Sequence, residues 1–463
     1  MAGGDKNAPQ EMDKNLAGDA GTKSKTQPRK DTDPDSSDFD PFAERQNAHP
    51  TTDNETLTHL LKSALGTGIL SMPIAFMYSG IIVGVFATFL TAFICAHCSY
   101  VLVQCGHILY YRTRRTKMSF AEIAEIAFSS GPKWARGFAP IARFITLFGL
   151  FLTYFGTCSV YSVIVAANFE QVLEHWLGYT VSLRLLISSL LIPLILLCWI
   201  PNLKFLAPVS FVANVFMGLG LGITIYYLVL ELPSIETREY AQLYTLPAFF
   251  SITIFAMEAI GVVMPLENNM KTPRHFLGIF GVLSQGMSAV ALIYLCLGFL
   301  GYLRYGENTE ESITLNLPVN EWPAQAVKVL IALAVFCTFG LQFVVCLEIS
   351  WDGIKDKCTK RPVLANYILR TVLVIAAIIL ALLVPTIAPF MGLIGAFCFS
   401  ILGIIFPVLI ELIMYWETGF GACYWILWKD IFIILFGVFA LVFGSMSAIK
   451  DIVRLYTDPS ESS

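Results

Sequence analysis

Long apolar runs punctuated by short polar breaks fill this chain from about residue 57 to residue 449, and most exceed the ~18 residues that mark a bilayer-spanning helix. Eleven spans are expected on this pattern: about 57–78, 80–110, 138–168, 182–200, 204–230, 244–267, 276–303, 325–350, 363–384, 386–413 and 424–449. Two are interrupted at their centres, the first by Gly66-Thr67-Gly68 with Pro73 following, the sixth by Glu258 with Gly261 and Pro265 following. In lipid a helix breaks only where the freed backbone groups face protein, water or a ligand, so paired breaks five spans apart mark a substrate site. The spans divide into two five-helix halves plus one further helix. An odd number of spans per half inverts the second half relative to the first, which brings both breaks to the midplane.

Composition agrees with the pattern: of 463 residues, 56% are hydrophobic and 14% charged, and the mean hydropathy is +0.67. No soluble core accommodates that much apolar surface, so the fold class is an all-α polytopic membrane protein. Residues 1–54 differ, being polar and almost free of aliphatic side chains, and are expected to form a disordered cytosolic tail. The transmembrane core then runs over 55–452, with a short C-terminal tail at 453–463. The N-terminal tail holds 7 Lys/Arg against 11 Asp/Glu, so it accounts for the whole formal charge of -4. It lacks a basic stretch leading into a short apolar run, so the first span is expected to direct insertion. With the N-terminus in the cytosol, the inner loops carry 13 Lys/Arg, including Arg112, Arg115, Lys117, Lys271 and Arg274, and the outer loops carry only Arg238 and Arg304. Cytosolic loops retain basic residues, and that asymmetry sets the orientation. Between spans 2 and 3, Ser119-Phe120-Ala121-Glu122 is a capping-box pattern that predicts a short helix across the inner face.

Candidate chemistry is sparse. Cys95-Ala96-His97-Cys98 has helical ligand spacing but no evident fourth ligand, and no HExxH is present, so no metal site is expected. No cofactor and no catalytic constellation are indicated, so an enzyme is not expected. No aspartate occurs between Asp53 and Asp352, which leaves glutamate and histidine as the titratable groups of most spans. Glu258 lies about fourteen residues into span 6, too deep to reach the interface, and such a charge faces a partner or an aqueous cavity. His59, seven residues before Gly66, is an imidazole able to change charge between pH 5 and 8. Lys62, one turn further on, is expected to snorkel to the inner interface. Glu267, Glu348 and Glu411, near inner ends of spans, fit solvated or ion-paired faces, with Arg370 a possible partner for one of them.

At Gly66-Thr67-Gly68 the second half-helix begins with free N–H groups and the positive end of a dipole, which suits a carboxylate. Across the site, Phe255, Ala256 and Met257 end the first half of span 6 with carbonyls lacking helical partners, which suits an ammonium group. Together the breaks describe a zwitterionic α-amino acid, with Gly66, Thr67, Gly68, Ile69, Phe255, Ala256, Met257 and Glu258 as its candidate contacts.

These same residues resemble a known family. Leu57-Thr58-His59-Leu60-Leu61-Lys62, then Gly66-Thr67-Gly68-Ile69-Leu70 and Pro73, is similar to the first span of the proton-coupled amino acid transporters, a branch of the amino acid/auxin permeases. Ile254 through Asn268 resembles the family's sixth span. The resemblance, over about residues 50–450, implies the inverted five-plus-five fold of the leucine-transporter type. It also implies symport of small neutral amino acids, of the glycine, alanine or proline kind, with the proton as coupling ion and His59 in the coupling. Vertebrate members carry paired cysteines in outer loops and this chain has none there, so nothing that depends on that bridge transfers. Two other readings stand beside this one. Sodium coupling on the same fold would need a cation site between spans 1 and 8, where Thr338 is the one hydroxyl at the right depth. An amino acid sensor would use a partner-binding segment in the tail, for which acidic residues 31–40 with Ser36 and Ser37 are the candidate. Plasma membrane and endolysosomal membrane both fit.

Overall fold

A computed structural model describes residues 39–47, 50–200, 203–230, 232–257, 259–357 and 360–457. Among these residues the chain is helical throughout, with a single isolated backbone bridge between Thr51 and Met270. Span 1 is a bent pair, Asp53–Ala64 and Thr67–Ser79, whose halves meet at 47°. The spans that follow are Ile81–Thr113, Ala139–Leu177, Leu183–Cys198, Leu203–Val229, Leu246–Asn269, Val282–Asn308, Trp322–Lys357, Pro362–Leu383, Ala388–Tyr415 and Ala422–Thr457.

The expected count of eleven is not reached by length. Nine of the described helices are long and apolar enough to cross a membrane, ten with the bent pair, while Leu183–Cys198 falls below 18 residues. Pro193 also interrupts this helix from within. It supplies no N–H and crowds the carbonyl four residues back, and the helix is interrupted at Leu190, just before it.

Each break has a local cause. The first half of span 1 starts with a full capping box between Thr52 and Glu55 and ends at Leu65, where ψ leaves the helical range. Gly66 is extended, Thr67–Ser71 winds as a tight 3-10 turn, and Pro73 falls in the first turn of Met72–Ser79, where its missing N–H removes no bond. In span 6 the halves are Leu246–Met257 and Ile260–Asn269, with Ala259 non-helical between them. Glu258, expected at the centre of this break, lies outside the described residues.

Spans five apart in sequence lie side by side: span 1 packs on span 6, span 2 on span 7, span 3 on span 8 and span 4 on span 9. That pairing is what two inverted five-helix halves require. The loop after span 2 forms the expected helix, Phe120–Ser130, with Ser119 Oγ accepting from the Glu122 N–H and the Glu122 carboxylate accepting from the Ser119 N–H at 2.8 Å.

Packing corrects two expectations and decides a third. Residues 1–38, 48 and 49 of the expected tail lie outside the described residues, but residues 40–47 and 50–52 sit on the body as a strap. Thr51 exchanges backbone hydrogen bonds of 2.9 and 2.8 Å with Asn269 and Lys271. Glu267, read as a solvated or ion-paired group, is ion-paired and fully buried because this strap covers it. Its carboxylate meets Arg45 Nη2 at 3.1 Å, His107 Nε2 at 3.0 Å and Tyr110 Oη at 3.0 Å. Arg370 pairs with none of Glu267, Glu348 and Glu411: its guanidinium donates to the Cys198 and Ile200 carbonyls at 2.5 and 2.9 Å, at the end of the fourth helix.

Candidate substrate site

The two breaks meet. A Cβ on Gly68 would stand 2.5 Å from the Ala256 Cα, so only glycine lets the backbones of spans 1 and 6 approach this closely. Gly261 plays the same part toward span 3, since a Cβ there would collide with the Tyr154 hydroxyl. Around this crossing lies a cavity of about 250 Å³, below the ~300–1,000 Å³ of sites for drug-sized ligands.

Gly66, Thr67, Gly68, Phe255 and Ala256 line it, as expected contacts would. Ile69 and Met257 do not; both are fully buried behind the lining. The positive end of the half-helix that begins at Thr67 and the negative end of the half-helix that closes at Met257 lie on the same space. The carbonyl of Ala64, at the end of the first half-helix, accepts from the Gly66 N–H at 2.8 Å and from the Tyr294 hydroxyl. Opposite the breaks, span 3 contributes Thr153, Thr157 and Tyr161, span 5 Asn214, and span 8 Thr338 and Gln342. Gln342 Nε2 donates to the Tyr161 hydroxyl at 3.3 Å, and that hydroxyl also bonds Thr67, so span 8 reaches the first break through span 3. Lys62 is the charged side chain of the described lining.

Access is one-sided. Every residue from Thr67 to Phe76 is buried, whereas Lys62 and Ser63 are exposed and line the cavity together with Val262 and Val345. The cavity therefore opens along the first half of span 1 and the second half of span 6.

Residues 49–450 match the family described as transmembrane amino acid transporter protein. The chain belongs to this family. It is 72% identical to the proton-coupled amino acid transporter-like protein pathetic of Drosophila melanogaster, over 98% of this chain and 97% of the relative. It is 25% identical to the amino acid transporter ANT1 of Arabidopsis thaliana, over 85% of this chain and 91% of that protein. A solved manganese transporter of Eremococcus coleocola aligns with 90% of the chain and 92% of its own length at a TM-score of 0.49 and 12% identity, a likeness that carries no argument. The protein is thus a multi-pass membrane transporter of amino acids rather than an enzyme.

In this family member His59 lies on the exposed face of the first half-helix, outside the cavity lining. Residues 31–38 of the proposed partner segment lie outside the described residues. Tyr161, Gln342, Asn214 and Tyr154 were not anticipated from sequence. Their only signal is a neutral polar group inside an apolar run, and span-by-span inspection for amides and phenols, not only for charges and glycines, would have found them.

Proposed function

We propose that this transporter carries small neutral α-amino acids together with a proton, by alternating access around the breaks of spans 1 and 6. The observation that carries the reading is the small cavity on which the positive end of one half-helix and the negative end of the other converge. Opposed dipole ends fit a carboxylate and an ammonium a few ångströms apart, and the limited volume fits a short side chain. Proton coupling is supported by the printed name of the Drosophila relative and by His59 near the cavity mouth. Glu258 is assigned to the ammonium or to balancing the proton, and His59 to proton coupling. The cavity opens toward the side that the Lys/Arg asymmetry assigns to the cytosol, which corresponds to an inward-facing state.

The pocket is tested by competition. Glycine, alanine and proline should compete for uptake by the reconstituted protein, whereas N-acetylated and amidated analogues should not. Each blocked analogue leaves one set of buried polar groups unpaired, at a cost of about 1–3 kcal/mol. Equal competition by either one would overturn the zwitterion reading. For Glu258, the alanine variant should lose transport at normal surface abundance, and Glu258→Gln should retain substrate binding. Loss of folding in both would make Glu258 a structural charge.

A further inference from the structure

Away from the cavity, spans 2, 10 and 11 enclose a second polar cluster. His97 comes from Ile81–Thr113, Glu411 from Ala388–Tyr415, and Lys429 with Asp430 from Ala422–Thr457. Lys429 Nζ lies 2.6 Å from Glu411 Oε2, 3.1 Å from His97 Nε2 and 3.0 Å from Asp430 Oδ1. Asp430 is fully buried and the Glu411 side chain is 6% exposed.

The charges do not balance. An ammonium N–H donates to His97 Nε2 only when that nitrogen carries no proton, so His97 is neutral. Two buried carboxyls therefore face one ammonium. Lys429 directs its shorter bond to Glu411 at 2.6 Å and reaches its chain neighbour Asp430 Oδ1 at 3.0 Å, so one ammonium serves both carboxyls and no donor reaches Asp430 Oδ2. A hydrogen bond between the two carboxyls that share this ammonium forms only when one of them is protonated.

Among the described residues, nothing else in the neighbouring elements supplies the missing positive charge. On span 2, Cys105 is neutral and the Arg112 side chain is exposed; on span 10, Tyr415 is neutral. The acidic groups of the adjoining helix Phe120–Ser130 are occupied, Glu122 with Arg115 and Glu125 with Arg143. In the other packed segments, Cys398 of span 10 and Cys423 and Tyr424 at the start of span 11 carry no positive charge. An unpaired carboxylate buried this way is far less stable than the same carboxyl holding a proton.

We propose that Glu411 and Asp430 share one proton at neutral pH, which makes this cluster a proton-binding site between spans 10 and 11, apart from the substrate cavity and from His59. The proton comes from water by way of Lys429, whose side chain is more exposed than either carboxyl: the ammonium gives one N–H proton to the carboxylate pair and regains one from water, so only N–H and O–H bonds break and form. This inference holds whichever ion drives transport. Because the native state then holds a proton that the unfolded chain has released, stability declines as pH rises and the shared proton leaves.

The test is pH-difference infrared spectroscopy of the full-length protein in phosphatidylcholine vesicles, together with thermal unfolding. The parent should show a carboxylic-acid C=O band at pH 7 that disappears on alkalinisation. Asp430→Asn and Glu411→Gln should each lose one carboxyl's share of that band. Asp430→Asn should also keep the parent's unfolding midpoint at pH 7, because its amide N–H donates to Glu411 where the proton lay, and should lose the parent's alkaline decline. A band undiminished in both variants, an unchanged alkaline decline in Asp430→Asn, or failure of that variant to fold would each overturn the proposal.

Discussion

The two sides of the paired breaks are held together by different chemistry. On the sealed side, single hydrogen bonds to backbone groups, with no ion pair among them, close the structure. Ser71 Oγ donates to the Glu311 carbonyl at 2.8 Å, Thr245 Oγ1 to the Tyr78 carbonyl at 2.6 Å, and the Ile387 N–H to the Glu311 carboxylate at 2.6 Å. On the open side the anchor is ionic: the strap's Arg45, 2% exposed, is fixed on the buried Glu267 at the end of span 6 and donates to the Glu267 and Thr116 carbonyls. A seal made of individually weak bonds, each worth about 0.5–1.5 kcal/mol, separates in steps. A buried ion pair is different, because removing one partner strands a charge. The comparison teaches that the sealed side is built to part and the strap is built to stay attached while the half-helices beside it move.

The largest expected effect breaks the ionic side. Arg45→Ala should destabilise the purified protein by about 3–5 kcal/mol, the usual consequence of leaving one partner of a buried pair alone. Thermal unfolding measures it, and the charge-exchanged pair Arg45→Glu with Glu267→Arg should recover part of the loss. If Arg45→Ala unfolds at the parent temperature, the strap is not an anchor.

An intermediate effect is expected at the crossing between the two sides. Gly68→Val places side-chain atoms against the Ala256 backbone, and overpacking of this kind costs about 1–3 kcal/mol. Uptake at matched surface level should fall nearly to background. Gly222→Ala, in span 5 where a Cβ meets nothing within 4 Å, serves as the neutral control.

The smallest expected effect lies on the sealed side. Ser71→Ala removes one donor to the Glu311 carbonyl, worth about 1 kcal/mol, and should shift the population toward opening on that side. Labelling of Thr67→Cys by an external membrane-impermeant thiol reagent should rise several-fold in that background. Unchanged labelling would mean that this bond does not gate access.

How much of this was legible in sequence follows from how local each signal is. The break of span 1 is written in Gly66, Gly68 and Pro73, whose backbone preferences act within a few residues, and the Ser119 capping box is equally local. The inversion of the second half, and with it the meeting of the two breaks, follows from parity alone, but the pairing of spans 2 with 7, 3 with 8 and 4 with 9 does not. Arg45 and Glu267 are 222 residues apart, and no local pattern announces their contact. Arg370 illustrates the same limit: a cation in a span needs acceptors, but sequence does not reveal that two carbonyls at the end of the fourth helix supply them. The cavity wall of Tyr161, Gln342 and Asn214 was missed because neutral polar groups on helices leave no periodic signature.

The most direct test of the central claim uses purified protein in sodium-free vesicles loaded with a pH-sensitive dye. Addition of glycine, alanine or proline outside should acidify the lumen in proportion to labelled uptake, and His59→Ala should abolish the acidification while leaving substrate binding measurable. Uptake without acidification, or uptake that appears only when a sodium gradient is imposed, would contradict proton-coupled amino acid symport.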